Sequence, residues 1–559
     1  MSSEASGDAS GDASGDANAW ASSASSAPIS ASGLTRRRFL RVSGGVAGAA
    51  VVGVGGFELA TRSYPQTGTL LRSQIAMPQL FTRPLTVPSV LSPVTTSDGS
   101  DTYDLLVRPG VQELVAGHQT EIWGFGGTFP GPTIKATSGR TTAVHVTNEL
   151  PIPVVTHLHG GVTAPASDGY PTDLLLPLGT SSSSAAALSA MPAMPGMPSS
   201  AKDPDALTAI GTRTYTYENG QPAATLWYHD HRMGFTAPDV WRGLAGFYLV
   251  TDDVETALPL PTGDRDIPLM ITDRSFNAAG SFAYPSVDQT LLETPGVTGS
   301  FMSGVLGDVI LVNGVAWPYL EVDRARYRLR FLNASNARRY QLALSPQPAG
   351  GGALVQIGSD AGLLGAPVAH DAIEIAQAER FDVVVDFSRY RPGDVITLTN
   401  GFGTGNTGQV MQFRVGRAAS DDTSVPHALA EYQALRRSDA VATRTFSFAD
   451  ENGVWKVNGQ EFDPRVFAAT ARAGTTEVWR FVTDFHHPIH LHAAHFQVLT
   501  RNGAAPGAYD AGWKDTVDIL PTEEVEVLVR FPQLTGRYVF HCHNLEHEDM
   551  AMMANFRLV

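Results

Sequence analysis

Cysteine is almost missing from this chain. Cys542 is the only one in 559 residues, so no intrachain disulfide can form. Lysine is scarce as well, four of the 39 basic residues, and against 55 acidic residues the formal charge is −16. That balance argues against a nucleic-acid partner, whose phosphates need a basic face, and says little about a small-molecule one. The apolar run from Val42 to Phe57 is too short, and too crowded with glycine, for a membrane anchor, which needs roughly 20 apolar residues. With 55 glycines and 36 prolines, long helices are disfavoured throughout.

Residues 1–62 stand apart from any core. Residues 5 to 17 repeat Ser-Gly-Asp-Ala, a polar, low-complexity stretch. Arg36, Arg37 and Arg38 then precede the apolar run, the pattern of a targeting signal, and the paired arginines suggest twin-arginine export to a periplasmic or extracellular destination. Exported proteins commonly pair their cysteines, and a lone thiol in an oxidising compartment is a liability unless something occupies it.

About 500 residues remain, enough for roughly three domains. Thr141–Asn148, Arg326–Asn333, Phe381–Phe387 and Glu524–Phe531 are short alternating or β-branched runs bounded by turn residues. Many short strands with frequent turns predict β-sandwiches. Composition places breaks near residues 255 and 425, giving segments 63–255, 256–425 and 426–559. The middle segment holds only His370 and reads as a spacer and substrate wall. An insertion at about 173–205, rich in Ser, Ala, Pro and Met, is long for a loop in a compact domain and reads as mobile or functional.

Four histidine clusters carry the chemistry: His157 with His159, His229 with His231, His487 with His490 and His492, and His541-Cys542-His543 followed by His547 and Met552. On a strand a His-x-His pair aims both rings at one face. One such pair is weak evidence of a metal; four with the right partners are not. In His541-Cys542-His543 the rings face one way and the thiol the other, so the thiolate can serve one metal while its neighbours serve a cluster behind it. A lone thiolate, flanking imidazoles and a nearby thioether form the ligand set of a blue-copper site.

With these motifs, His157–Thr163, Val312-Asn313-Gly314 and Leu545–Asp549, the chain resembles the three-domain bacterial multicopper oxidases over most of residues 75–559, nearest the laccase, bilirubin oxidase and phenoxazinone synthase branch. The resemblance implies an all-β chain of three consecutive cupredoxin-like Greek-key sandwiches and four copper ions. It implies a type 1 copper on His487, Cys542 and His547 with Met552 as weak axial ligand, and a type 2 copper on His157 and His490. A type 3 pair would share His159, His229, His231, His492, His541 and His543. His486 is set aside in favour of His487, His495 reads as second shell or core, and His118, His145, His370 and His427 receive no ligand role.

Asp168 and Glu548 match acidic positions the family uses to deliver protons to dioxygen; the bland reading of Asp168-Gly169 is a surface turn. The implied reaction is one-electron oxidation of phenols, aminophenols or tetrapyrroles, with electrons entering at His487 or His547 near the surface, coupled to reduction of dioxygen to water. Met191, Met194 and Met197 in the insertion offer soft ligands for Cu(I), and motivate the alternative of a cuprous-ion oxidase. A copper-binding protein without turnover would have no use for the full histidine set or the two acids.

Overall fold

The computed structural model describes residues 67–189 and 203–559. The expected export signal and Met191, Met194 and Met197 lie outside the described residues. Among those described, no helix is long and apolar enough to cross a membrane.

Strand Thr141–Asn148 follows its sequence alternation, burying every second residue from Thr142 to Asn148. Strand Arg326–Asn333 also forms with the bounds its pattern gives, yet it is buried on both faces. The reason is charge pairing. Arg328 meets Asp382 and Glu255, and Arg330 meets Asp266 at 2.7 Å and Glu255 at 3.1 Å. Alternating arginine here marks an ion-paired layer and not a solvent face, since buried charge persists only when partnered.

Each third of the chain builds two sheets. The first third has Thr212–Tyr217, Thr141–Asn148, Ser100–Gln112 and Thr95–Ser97 in one sheet, and Gly131–Thr137, Ala245–Thr251, Ala224–Asp230 and Thr156–His159 in the other. Both contain one parallel neighbour pair, Ser100–Gln112 with Thr141–Asn148 and Gly131–Thr137 with Ala245–Thr251. The middle third repeats this with Asp266–Arg274 beside Arg326–Asn333 and Tyr319–Arg324 beside Gln409–Ala418. The last third does so with Ala440–Asp450 beside Thr476–Thr483 and Phe467–Ala471 beside Met553–Leu558. Parallel neighbours set among antiparallel hairpins are the mark of Greek-key crossovers. The three sandwiches are cupredoxin-like, as the resemblance implied.

The base of the insertion is tied down. Leu175–Leu176 pairs with Ala209–Ile210, and Ser182–Leu188 forms a short helix capped by Ser181. Arg537, from the last third, holds Asp203 at 2.7 Å and Asp173 at 3.3 Å.

Candidate metal centre

Strand register decides which histidines meet. In the first third His157 lies opposite His229, and His159 opposite Trp227. In the last third His490 lies opposite His541 and Ile489 opposite Cys542. Directly opposed residues share a face, and faces alternate with period two. His490 and His541 therefore point out of the last sandwich toward the first, while Cys542 and Ile489 point into the core they share with Phe446, Trp479 and Met552. His487, two residues before Ile489, falls on the Cys542 side.

The result is two clusters joined by three consecutive residues. On the core side, His487 Nδ1 is 3.3 Å from Cys542 Sγ, His547 Nδ1 is 3.6 Å from it, and the two nitrogens are 3.2 Å apart. Metal bonds of about 2.0–2.3 Å to imidazole and thiolate place such donors at roughly this spacing. Met552 is fully buried, and its backbone bonds both Cys542 N–H (3.1 Å) and the His547 carbonyl (3.0 Å). On the other side, eight rings converge in sets whose donor atoms lie within 4.8 Å of one another: His159, His229 and His543; His231, His492 and His541; and His157 and His490, with His159 beside them.

A metal fits these donors. His157 Nε2, His159 Nδ1, His229 Nε2, His490 Nε2 and both nitrogens of His543 are buried without a hydrogen-bond partner, an arrangement native interiors rarely leave unexplained. On most of these rings the far nitrogen is fixed. His157 Nδ1–H donates to the Asp168 carbonyl (2.5 Å), His229 Nδ1–H to the Asp230 carbonyl (2.7 Å) and His490 Nδ1–H to the Asp515 carbonyl (2.9 Å). Such outer bonds set the tautomer and aim the free nitrogen at a metal. Burial holds His157, His159, His490, His492 and His543 well below the ordinary imidazole range, His229 at about 3 and His231 at about 4. These rings are neutral, the form that ligates. Burial also pushes the Cys542 thiol well up, so without a cation it keeps its proton.

Both sequence-predicted acids are buried at the eight-ring cluster. Asp168 is 1% exposed, which rules out a surface turn; its Oδ2 accepts from His492 Nδ1–H at 2.8 Å, and burial raises its pKa well above the carboxylate range. Gly169 beside it has φ +79, and a Cβ there would collide with the His157 backbone. Glu548 Oε2 lies 3.2 Å from His541 Nδ1 and Oε1 3.5 Å from His231 Nδ1. Burial raises its pKa, and the neighbouring His231 and His541 rings lower it below the ordinary glutamate value.

The remaining histidines lie apart from the two clusters. His486 turns to Asp518 (2.6 Å), and His495 donates to the Gly160 carbonyl (3.0 Å). His118, His145, His370 and His427 stand in no metal-sized group among the described residues. One expectation is corrected: neither His487 nor His547 approaches the surface, both being 0% exposed, because the Trp455 ring stacks on His547 at 3.8 Å.

Sequence reasoning also missed a layer contributed by the middle third, which supplies more than a spacer. Arg380, fully buried, donates from Nη1 and Nη2 to the two Asp515 oxygens at 2.8 and 2.5 Å. Asp515 Oδ1 in turn lies 3.1 Å from His159 Nε2, and its carbonyl holds His490. Asp360 and Glu379 flank Lys514 at 3.1 Å each. Nothing in the local sequence of Arg380 or Asp515 signals this, because the partners are 135 residues apart.

Two sequence profiles described as multicopper oxidase match residues 107–183 and 185–255, and 435–558. The chain is 35% identical to a laccase of Bacillus subtilis over 536 residues, covering 85% of this chain and 97% of that one. It is 34% identical to a bilirubin oxidase of Albifimbria verrucaria, covering 88% and 84%. Among solved structures, a laccase from Pediococcus acidilactici superposes with a TM-score of 0.73 at 30% identity, covering 88% of this chain and 96% of that one. With the profiles falling on both histidine-bearing thirds and the relatives spanning nearly its whole folded length, this chain belongs to the multicopper oxidase family.

Proposed function

We propose that the chain is a laccase-like oxidase that removes single electrons from phenolic, aminophenolic or tetrapyrrole compounds and reduces dioxygen to water. The observation that carries this reading is the junction at His541-Cys542-His543, which joins a buried His487, Cys542 and His547 triad to an eight-histidine cluster through consecutive residues. His487, Cys542 and His547, with Met552 as axial ligand, would hold a type 1 copper; His157 and His490 a type 2 copper; and the other six histidines a type 3 pair. Four copper ions bound in this way supply the one-electron acceptor and the centre at which dioxygen is reduced. Cys542 provides a covalent path from the first cluster to His541 and His543. Asp168, bonded to His492, and Glu548, 3.2 Å from His541, would deliver the protons consumed in making water.

The laccase and bilirubin oxidase relatives support the substrate class. A methionine axial ligand favours a low-to-moderate potential. The alternative reading is a cuprous-ion oxidase fed by Met191, Met194 and Met197, and the Arg36-Arg37 segment supports export by the twin-arginine route. Copper analysis and an absorption spectrum test the assignment. Four ions per chain, an intense blue band and a near-ultraviolet shoulder are expected, with rapid oxygen uptake on a phenolic dye. Uptake with Cu(I) alone would promote the alternative; one copper and no uptake would leave an electron carrier.

A further inference from the structure

The two imidazoles of the Cys542 triad are sealed from solvent, so no reductant touches them directly. His547 is covered by Trp455, whose ring lies at 3.8 Å and 29° to it. Trp455 is itself 4% exposed, and its indole N–H donates to the Met302 carbonyl at 3.2 Å, so the ring is clamped in place. Phe485 also meets the Trp455 ring, 6.0 Å away and edge-on at 83°. Phe485 is 47% exposed, one of the few large apolar side chains on the surface of the last third. His487 offers no other entry, because its Nε2–H is committed to Asp484 at 3.0 Å and its ring is walled by Phe448 and Trp455.

We propose that Trp455 is the relay through which the electron of an aromatic reductant reaches His547, with Phe485 as the surface ring against which that reductant packs. This rests on the blue-copper reading of the triad. In the step, a phenol docked at Phe485 loses one electron and its hydroxyl proton. The electron would cross the Trp455 π-system to His547, the cupric ion held by the triad would be its one-electron acceptor, and the proton would pass to bulk water. Trp455 is not consumed; it supplies continuous aromatic contact where a saturated side chain would interrupt it. The covering also selects. Bulk at the reductant is tolerated because no pocket around the imidazole has to admit it, while an aromatic face is favoured at the Phe485 contact.

The test uses the copper-loaded enzyme under anaerobic conditions, following the bleaching of the blue band on mixing with a monophenol and, separately, with hexacyanoferrate(II); KM for each reductant is then read from oxygen uptake in air. Trp455→Leu replaces the indole by a smaller, saturated side chain. It is expected to slow bleaching by both reductants at least about tenfold, equivalent to one decade in rate, with band position and spectroelectrochemical potential unchanged. Trp455→Phe is expected to restore the rate to within about threefold of the parent, a recovery that packing alone would not give. Phe485→Leu, an exposed change that leaves the fold intact, should raise KM for the phenol roughly 2- to 10-fold and leave hexacyanoferrate(II) unaffected. Parent rates in Trp455→Leu overturn the relay, as does a slowing that merely tracks a shift in potential. An unchanged phenol KM in Phe485→Leu overturns the docking contact. Absence of a blue band in the parent enzyme would instead refute the site assignment itself, before any variant is compared.

Discussion

Replacing Arg380 by alanine removes a side chain whose five N–H donors are all engaged. Nε donates to the Thr225 carbonyl (2.9 Å), Nη1 to the Ala378 carbonyl (2.9 Å) and Asp515 Oδ1 (2.8 Å), and Nη2 to the Asp360 carbonyl (2.9 Å) and Asp515 Oδ2 (2.5 Å). Arg380 and Asp515 are both 0% exposed, so the change strands a carboxylate where water cannot reach it. Breaking one partner from a buried pair costs about 3–5 kcal/mol, which lowers the first thermal transition by roughly 6–20 °C at the usual sensitivity of domains this size. The pH dependence separates this cause from simple cavity formation. In the parent, burial alone would raise the Asp515 carboxyl, and the Arg380 guanidinium outweighs it and holds the group well below the carboxylate range. Its contribution is therefore fully present above the unfolded value of about 3.9 and is lost as pH falls through the folded value. In the variant burial is the largest effect left, with His490, His495 and the Thr516 hydroxyl acting weakly against it; the folded value is expected to rise above the unfolded one, so that the group opposes folding at neutral pH but not in acid. The stability gap should be widest at pH 7 and narrow toward pH 4. Thermal melts of the copper-free proteins across that range measure it without interference from metal. A gap constant with pH would refute the account, since lost packing alone has no proton linkage.

Other substitutions probe the remaining parts. Cys542→Ser should abolish the blue band while leaving the eight-histidine cluster loaded, which copper analysis resolves as a loss of one ion out of four. Asp168→Ala leaves the His492 Nδ1–H without its 2.8 Å acceptor, and loss of such an outer bond typically weakens metal affinity or activity about 10–100-fold; dialysis against graded chelator reads the affinity. Asp168→Asn keeps an acceptor for His492 but cannot exchange a proton, so copper should stay while the pH profile of oxygen uptake flattens. Gly160→Ala places a Cβ 2.7 Å from both Arg380 Nη2 and Asp515 Oδ2 at a φ of +86, and strain of that kind costs on the order of 1–3 kcal/mol; it should reproduce part of the Arg380→Ala defect in the same melts.

The candidate metal ligands were legible because their chemistry is local in sequence. Each His-x-His pair announces a shared strand face, and His541-Cys542-His543 announces opposite faces, so period-two geometry alone predicts two clusters back to back, and strand register delivers them. The choice of His487 over His486 rests on the His-Pro-x-His-x-His pattern of the resembled family, and the structure supplies its physical reason: the parity of that strand puts His487 with Cys542 while His486 turns to Asp518. The burial of Asp168 was not legible from its own neighbourhood, since Asp-Gly is equally a turn signal; only contact with His492, 324 residues away, distinguishes the two.

What the sequence concealed has a common physical origin. Arg380, Asp515 and Trp455 act across domain interfaces or between distant strands, and none belongs to a spaced motif. The alternating arginines of Arg326–Asn333 even point the wrong way, since a hydrophilic period-two pattern suggests solvent exposure while Arg328 and Arg330 are buried against Glu255, Asp266 and Asp382. Buried charge is stable only if its partner is present, and the partner is a tertiary fact. This changes the standing of the middle third. It contributes no histidine to either cluster, yet Arg380 orders Asp515, whose carboxylate meets His159 and whose backbone carbonyl holds His490, and the Met302 carbonyl clamps the ring that covers His547. A sandwich without metal ligands thus acts on both clusters at one remove, so substitutions there should alter copper retention at one site and electron entry at the other, independently of each other. Arg380→Ala and Trp455→Leu in one protein should then show additive effects, because the two residues share no contact and coupling is expected only between neighbours.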